Sequence, residues 1–493
     1  MKSKLFTRSA ELATPLISWI LLTSPFWASF IVPNVVVYFI FIFDLYFLYK
    51  ASALGINSVR SYLKIRTSTK TNWLEKLQSE KLDYSKLKHI VFIPTYKEPV
   101  EILNRTLTFL AEQEFPAKQI IVVLAGEKRE EGFEEKVGAL KNTFKQFFYD
   151  ILVTVHTLKE GEVAGKSSNQ SYAAQVVKNY IEKNSIDKNY LTSTSCDADV
   201  SIHLKYFSNL SYLFLKNPHR YTRFWQGALV FYNNIWRVPF FVRIVHTIYS
   251  IIDVAELMRA KTNFIYSSYS TSWVLLEKTG FWDPDVISED WHLFFKAFFA
   301  TKGEVEIEAI FLPLYGDAVE SQSYWGSFAA QYQQNRRWAW GVVDIGYALK
   351  QFLIHRKVIS IPNFVLRFAK ALEQHLLWPV NWWIITLGAT LPPLLNKQFQ
   401  LTTQGYYLPK LSGFILTCST VFLIFIIVVD YLLKPPRPES VKRTFFIFSL
   451  LQYLLLPVVG FLFGALPGMD AHTRILLGKR LDYKVTEKVS VKE

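Results

Sequence analysis

Apolar residues are concentrated near the two ends of the chain, whereas the middle alternates between apolar and polar positions. Residues 14–49 are almost wholly apolar and are interrupted by Val-Pro-Asn at 32–34. This stretch exceeds the roughly 20 residues that one membrane-spanning helix needs. We therefore predict a transmembrane hairpin within residues 1–50, with spans at 14–31 and 35–49. One long tilted helix is the alternative, because each half is short.

The middle of the chain has the pattern of an α/β domain. Residues 51–88 are polar and basic, and the positive-inside rule places this linker in the cytosol. Residues 89–345 then alternate short β-rich runs with helical patterns. We predict that four of these runs, HIVFIP, QIIVVLA, ILVTVH and YLTSTSC, form the first strands of a mostly parallel sheet.

Apolar character returns after about residue 350. Residues 346–375 are predicted to form amphipathic interfacial helices, and residues 376–466 to span the membrane at 376–395, 411–433 and 445–465. Trp378, Trp382 and Trp383 would then lie in an interfacial belt. Three spans would put the basic tail, residues 467–493, outside, although basic tails prefer the cytosol. We therefore predict that the last apolar segment is a re-entrant hairpin, broken at 457–460.

Composition narrows the class of protein. The chain has 493 residues, 51% of them apolar, and a net charge of +14. Such a charge suits nucleic acid, an anionic membrane surface or a phosphorylated substrate. No arginine-rich arm or zinc-finger spacing supports nucleic acid, and the scattered histidines do not predict a zinc site. Cys196 and Cys418 lie in different regions and predict no disulfide, which favours a reduced, cytosolic catalytic region.

The stretch EGEVAGKSSNQ, residues 160–170, looks like a phosphate-binding loop but is one residue too short. The Walker A pattern has four residues between its glycines, and Gly161 and Gly165 enclose only three. A nucleotide-driven pump or transporter remains an alternative that rests on this loop alone. Lys166 therefore needs another role.

Four short elements follow one another in the polar domain: FIPTYKEP (92–99), SCDADV (195–200), ISEDWH (287–292) and QYQQNRRWAWG (331–341). Asp-x-Asp alone is more often a solvated turn than an active site. The four in this order, between membrane segments, resemble the membrane-embedded family-2 glycosyltransferases, the group of cellulose, chitin and hyaluronan synthases. The resemblance implies an α/β GT-A-like (Rossmann-like) cytosolic domain inserted between α-helical transmembrane segments.

The resemblance also implies roles for the acidic residues. Asp199 would be a direct ligand of Mg²⁺ or Mn²⁺, and Asp197 would face the nucleotide or share the metal, since hard carboxylate oxygens suit these cations. Asp290 would be the catalytic base that deprotonates the acceptor hydroxyl, and one base implies an inverting reaction. Asp290 could instead cap a helix, and the two roles are compatible, because a helix N-terminus would keep its carboxylate ionised.

The remaining candidate residues bind substrates. Gln334, Arg337 and Trp338 lie at i, i+3 and i+4 of a predicted helix, where Arg337 would pair with the diphosphate and Trp338 would contact the acceptor sugar. Arg336 and Trp340, on other faces, would contact the membrane surface. The resemblance implies that the other candidates would bind the nucleotide-sugar donor: Thr95, Tyr96 and Glu98 at the uridine, Glu127 at the base, and Lys166 at the diphosphate or the base.

The segment YKVTEK, residues 483–488, resembles the gating loop of cellulose synthases and implies such a role for Tyr483, Thr486 and Lys488. A disordered basic tail is the alternative. The resemblance as a whole implies that the chain moves a sugar from a nucleotide-sugar, with a UDP-sugar as the favoured donor, to a growing polysaccharide at the plasma membrane, and that it exports the product. Glycosylation of a membrane lipid is the alternative function, and a catalytically inactive scaffold is a further one.

Overall fold

The computed structural model describes residues 2–442, 444–479 and 481 of the chain. Two long helices begin it, α1 (Lys2–Ile31) and α2 (Pro33–Lys70), and the chain turns between them at Val32. Proline is well placed at the start of α2, where its missing N–H would have no helical partner. Helix α2 does not end near residue 49 but continues through the first part of the predicted basic linker, which α3 (Trp73–Ser79) follows.

Within the described residues, eight strands form one mixed sheet with the order β3-β2-β1-β4-β7-β6-β8-β5. The strands are β1 (Lys88–Pro94), β2 (Ile120–Glu127), β3 (Asp150–His156), β4 (Leu191–Ser195), β5 (Ser201–Ile202), β6 (Arg223–Val230), β7 (Tyr269–Ser272) and β8 (Glu306–Tyr315). The first four are parallel, which confirms the prediction made from the apolar runs. Strand β7 pairs antiparallel with both β4 and β6.

The sheet is buried on both faces, as the continuous apolar run of β2 requires. Successive residues alternate between two apolar clusters, since Val122 and Leu124 join one cluster and Ile121 and Val123 the other. The helices of this part of the chain are α4 (Val100–Ala111), α5 (Phe133–Phe144), α6 (Lys166–Lys183), α7 (Tyr206–Lys216), α8 (Phe240–Glu256), α9 (Trp273–Lys278), α10 (Glu289–Ala300) and α11 (Tyr324–Ala339).

The C-terminal part is helical. It contains α12 (Val343–His355), α13 (Ile361–Leu377), α14 (Asn381–Trp383), α15 (Leu391–Leu395), α16 (Lys397–Gln400), α17 (Thr403–Leu433), α18 (Phe445–Leu451), α19 (Leu456–Gly460) and α20 (Leu466–Leu476). Helix α13 matches the predicted amphipathic helix, because Phe364, Arg367, Ala371 and His375 are buried along one face.

Among the described residues, four helices are long and apolar enough to cross a membrane: Arg8–Ile31, Pro33–Lys70, Thr403–Leu433 and Ile447–Leu476. The predicted span at 376–395 is wrong as a continuous helix. It is interrupted by a turn at 378–380 that contains Pro379, and α15 begins near the pair Pro392 and Pro393. Proline lacks the N–H that a continuing helix needs.

The predicted re-entrant hairpin is also wrong, because the helical chain passes through 457–460 without reversing. Gly460 serves close packing there rather than a turn. A Cβ at this position would lie 2.2 Å from the Trp382 ring. Trp382 therefore packs closely against this glycine of the last apolar segment. Two candidate spans follow the sheet domain among the described residues, in contrast to the three predicted, and an even total of four would return the chain to the side on which it began.

Candidate functional site

A cavity of about 1440 Å³ opens at the carboxyl ends of β1 and β4. Neighbouring parallel strands end at the same edge of a sheet, where open α/β sheets bind their ligands. The structure brings most of the predicted site residues to the wall of this cavity: Thr95, Tyr96, Glu98, Lys166, Asp197, Asp199, Asp290, Gln334, Arg337 and Trp338. Glu127 is not part of the wall. Tyr483, Thr486 and Lys488 lie outside the described residues.

Lys166 connects two of the acidic elements. It is the first residue of α6, and its Nζ lies 2.8 Å from Asp197 Oδ1 and 2.8 Å from Glu289 Oε1. It also donates a hydrogen bond of 2.8 Å to the carbonyl of Ser267. Burial opposes its charge, but Asp197 and Glu289 outweigh burial and raise the pKa of Lys166 well above its usual value. Lys166 is thus a fixed cation at the centre of the site.

Asp290 is the second residue of α10, and Ser288 holds the N-cap position. Its Oδ2 accepts a hydrogen bond from the Ser267 N–H at 3.1 Å, and its Oδ1 accepts one from the Trp291 N–H at 2.8 Å. Burial, and then the charge of Glu289, raise the pKa of Asp290 to about 7. Burial thus opposes the ionised form, which the hydrogen bonds from the N–H groups of Ser267 and Trp291 favour. A carboxyl group with this pKa can take up and release a proton near neutral pH.

His292 holds the start of α10 in place through two aspartates, and no pattern in the sequence indicates this role. Its Nδ1 lies 2.7 Å from Asp344 Oδ1, and its Nε2 lies 3.0 Å from Asp283 Oδ2. Burial opposes the charged imidazole, but hydrogen bonds to Asp283 and Asp344 raise the pKa of His292 to about 9. Ser288 Oγ donates to the same Asp344 at 3.3 Å. This cluster ties the Ser288–Asp290 turn to α12.

Asp197 and Asp199 are the donor type that Mg²⁺ or Mn²⁺ requires. Asp197 accepts a hydrogen bond from Ser267 Oγ, and the main-chain oxygen of Asp199 accepts one from Arg105 at 3.2 Å. Among the described residues, no group of three or more His, Cys, Asp or Glu side chains could hold a metal ion by itself. The pair therefore fits a cation whose remaining ligands are oxygens of a bound diphosphate.

Helix α11 presents Gln334, Arg337 and Trp338 to the cavity on one face, as their spacing predicts. The Trp338 ring meets Tyr249 edge to face, with 5.1 Å between ring centroids. Arg336 and Trp340, for which the sequence predicts contact with the membrane surface, also have partners within the protein. Arg336 pairs with Asp470 of α20 at 2.8 Å, and Trp340 packs against the apolar core.

The residues after β1 form a second polar group in the cavity. Thr95 Oγ1 donates to Glu98 Oε2 at 2.7 Å, and the guanidinium of Arg129 lies 4.9 Å from the centroid of the Tyr96 ring. The sequence did not single out Arg129. Buried Glu127 pairs with Arg129 and accepts a hydrogen bond of 3.2 Å from Asn169, so it supports the wall rather than forming it.

Comparison with known proteins identifies the family. The model of glycosyl transferase family group 2 matches residues 194–459, more than half of the chain. No curated protein matches the chain. Among solved structures, the chain is similar to a mannosyltransferase from Pyrobaculum calidifontis in complex with GDP-Man and Mn²⁺, at 15% identity and a TM-score of 0.44, over 80% of this chain and 99% of that one.

The chain is also similar to TarS from S. aureus in complex with UDP-GlcNAc, at 14% identity and a TM-score of 0.33, over 69% of this chain and 91% of that one. The mixed sheet lies in sequence between apolar helices at both ends of the chain and has its polar cavity at the strand ends. This arrangement confirms the predicted GT-A-like domain, and the family match leaves the pump alternative without support. The chain belongs to glycosyl transferase family group 2 and is a glycosyltransferase.

Proposed function

We propose that the protein transfers a sugar from a UDP-sugar to an acceptor at the membrane, with inversion at the anomeric carbon. The observation that carries the proposal is the convergence of Asp290, Lys166 and the pair Asp197 and Asp199 on one cavity. Such a reaction needs a base for the acceptor and positive charge for the departing diphosphate. Asp290 can serve as the base, and Lys166, together with a cation held by Asp197 and Asp199, can supply the positive charge.

The donor nucleotide lies at the carboxyl end of β1 in this proposal. Tyr96 offers an aromatic face to the base, and Thr95 and Glu98 offer hydrogen-bonding groups to the uridine. Lys166 and Arg337 face the diphosphate from two sides of the cavity. Asp199 and Asp197 would hold Mg²⁺ or Mn²⁺, which supplies neutralisation of the charge that grows on the leaving group.

The acceptor hydroxyl is deprotonated by Asp290. The raised pKa of Asp290, about 7, makes its carboxylate basic enough to accept the proton, while about half of the molecules carry the ionised form at neutral pH. Trp338 provides a flat apolar face for the terminal sugar of the acceptor, and Gln334 lies one turn away on the same helix. Attack from the side opposite the diphosphate, with one base and no covalent intermediate, inverts the configuration.

The membrane arrangement follows from charge and span number. We propose that residues 89–345 are a catalytic domain in the cytosol at the plasma membrane, because the basic residues that flank it, such as Arg66 and Lys70, favour that side. The candidate spans Arg8–Ile31 and Pro33–Lys70 precede it, and Thr403–Leu433 and Ile447–Leu476 follow it after the helices of 346–375. Because four spans return the chain to its starting side, we assign the basic tail, 467–493, to the cytosol. Tyr483, Thr486 and Lys488 lie outside the described residues, and the gating role proposed for them requires that side.

Two acceptor classes are candidates. The resemblance to polymer synthases favours a growing polysaccharide, exported through the membrane helices. The second candidate is a membrane lipid, which is favoured by the apolar side chains that line the cavity where it reaches the membrane helices.

The proposal is tested by incubating membranes that contain the full chain with a panel of labelled UDP-sugars and Mg²⁺ or Mn²⁺. Released UDP and the size and solubility of the labelled product are measured. We expect transfer from one or a few donors, and its loss in Asp290→Asn. No UDP release from any donor, or full transfer by Asp290→Asn, would contradict the proposal.

A further inference from the structure

The cavity changes character as it leaves the catalytic residues. Beyond Trp338 its wall is formed by side chains of α2, α17 and the segment around α18, which belong to helices that could cross a membrane. The side chains there are mainly aliphatic and include Leu54, Leu416, Leu423, Ile427, Leu450 and Leu454. Such a wall offers few hydrogen bonds to a sugar but suits a hydrocarbon chain.

An aromatic section separates the two ends. Tyr249 lies between Trp338 and Trp378, with ring centroids 5.1 Å and 6.4 Å away, and all three line the cavity. Aromatic faces of this kind bind sugars or other compact headgroups that carry hydroxyls and C–H surfaces. A ligand that fills both sections is therefore amphipathic, with its headgroup near Asp290 and its tail in the membrane.

The length of the apolar section argues against a passage for a polymer. On α17 the wall extends from Leu416 to Ile427, about 16 Å of a helix about 46 Å long. A passage across the bilayer would have to be lined over the roughly 30 Å of its hydrocarbon core. The section is long enough for part of a lipid chain and too short for export.

The charges between the two sections select a neutral headgroup. The ionisable side chains of the wall around Lys50, in the middle of α2, are Lys50, Asp253, Glu256, Arg259 and Glu373. Lys50 pairs with Glu373 at 2.7 Å and Glu256 pairs with Lys370 at 3.0 Å, so both ion pairs are already neutral. A phosphate or diphosphate headgroup would need an excess of cations here.

From these observations we infer that the acceptor is a neutral, hydroxyl-bearing membrane lipid, such as a glycolipid, whose chain occupies the section between α2, α17 and α18. The inference rests on the proposed function and names its acceptor. In the reaction the acceptor oxygen bonds to the anomeric carbon, while the bond from that carbon to the diphosphate oxygen breaks. UDP leaves with the bonding electrons, and the hydroxyl proton goes to Asp290.

The test uses the purified full chain in lipid vesicles with a labelled donor and two neutral glycolipid acceptors, one with short and one with long alkyl chains. The readout is the ratio of long-chain to short-chain product after organic extraction. We expect Leu423→Trp to lower this ratio at least tenfold, because it shortens the section, and Ile427→Ala to raise it. Ile424→Trp is the matched control on the same helix, since Ile424 is 60% exposed on the outside.

A product ratio that is unchanged in both cavity variants would overturn the inference. Misfolding cannot be mistaken for the expected change in ratio, because a misfolded protein loses both products together. A wild-type product that is water-soluble, polymeric or linked to a lipid phosphate would also overturn it. These outcomes leave the proposed function intact, whereas failure of the wild type to release UDP from any donor counts against the proposed function itself.

Discussion

The two ends of the cavity are built on opposite physical principles. At the sheet end, Lys166, Asp197, Glu289 and Asp290 form a charged group in which each member limits the position or protonation of another. At the membrane end, aliphatic side chains such as Leu423 line a section that constrains a ligand by its shape and its apolar surface. The comparison teaches that the sheet end selects chemistry, whereas the membrane end selects size and polarity.

The largest effect is expected for Asp290→Asn, which removes the base and should lower transfer at least 1000-fold. The Asn variant should be the more stable protein above pH 7. Because the pKa of Asp290 is raised on folding to about 7, its contribution to stability is present while the group is protonated and is lost as the pH rises through that value.

Transfer rates and thermal unfolding at pH 8 measure the two effects of Asp290→Asn. Asp285→Asn is the control, because Asp285 is exposed in the loop before α10. A variant that retains a tenth of the wild-type rate would show that another group takes the proton.

The second effect is expected for Lys166→Met, which leaves Asp197 and Glu289 facing each other without a cation. We expect kcat/KM for the donor to fall about 100-fold, as is typical when one electrostatic donor is removed from an active site. Lys178→Met on the same helix is the matched control, because Lys178 pairs at 3.3 Å with Glu277. Steady-state kinetics measure this effect. A fall in kcat/KM of less than threefold would show that Lys166 does not bind the diphosphate.

The pH dependence is the third test. The base must be ionised, so kcat/KM should rise about tenfold per pH unit below the pKa of Asp290 and level off above about 7. Glu289→Gln removes a like charge that raises this pKa. The acid limb of the profile should therefore move to lower pH in the variant, and an unchanged or higher midpoint would show that a different group titrates.

The smallest effect is expected for Arg129→Ala. A cation close to the face of an exposed ring contributes roughly 0.5–1 kcal/mol, which corresponds to a two- to fivefold rise in the KM for the donor. Lys128→Ala, at the exposed neighbouring position, is the control. Calorimetric titration with UDP measures the effect directly, and equal affinities in the two variants would place the base away from Tyr96.

Local patterns in the sequence predicted much of the sheet end. Short β-rich runs that alternate with helical patterns indicate strands, so β1 to β4 could be located from the order of residues along the chain. The spacing of Gln334, Arg337 and Trp338 similarly placed them on one helical face.

Contacts between distant elements could not be predicted in the same way. Nothing near Lys166 in sequence indicates its pairing with Glu289, and nothing near His292 indicates that Asp344 of another helix receives it. In the membrane part, hydropathy identified the apolar segments but did not show where a helix is interrupted and where it continues. Pro379 interrupts one segment, whereas Pro457 lies at the start of α19, where a helix tolerates it.

The continuity of α2 has a consequence for how the enzyme meets its acceptor. The helix is 38 residues long, about 57 Å, and its last third leaves the apolar region and packs against the sheet domain, where Ile65 joins the core and Lys64 lies 4.7 Å from the Phe311 ring. In the proposed membrane arrangement, one continuous helix of this length would fix the height of Asp290 above the bilayer. The depth at which an acceptor carries its hydroxyl would then decide whether that hydroxyl reaches the proposed base.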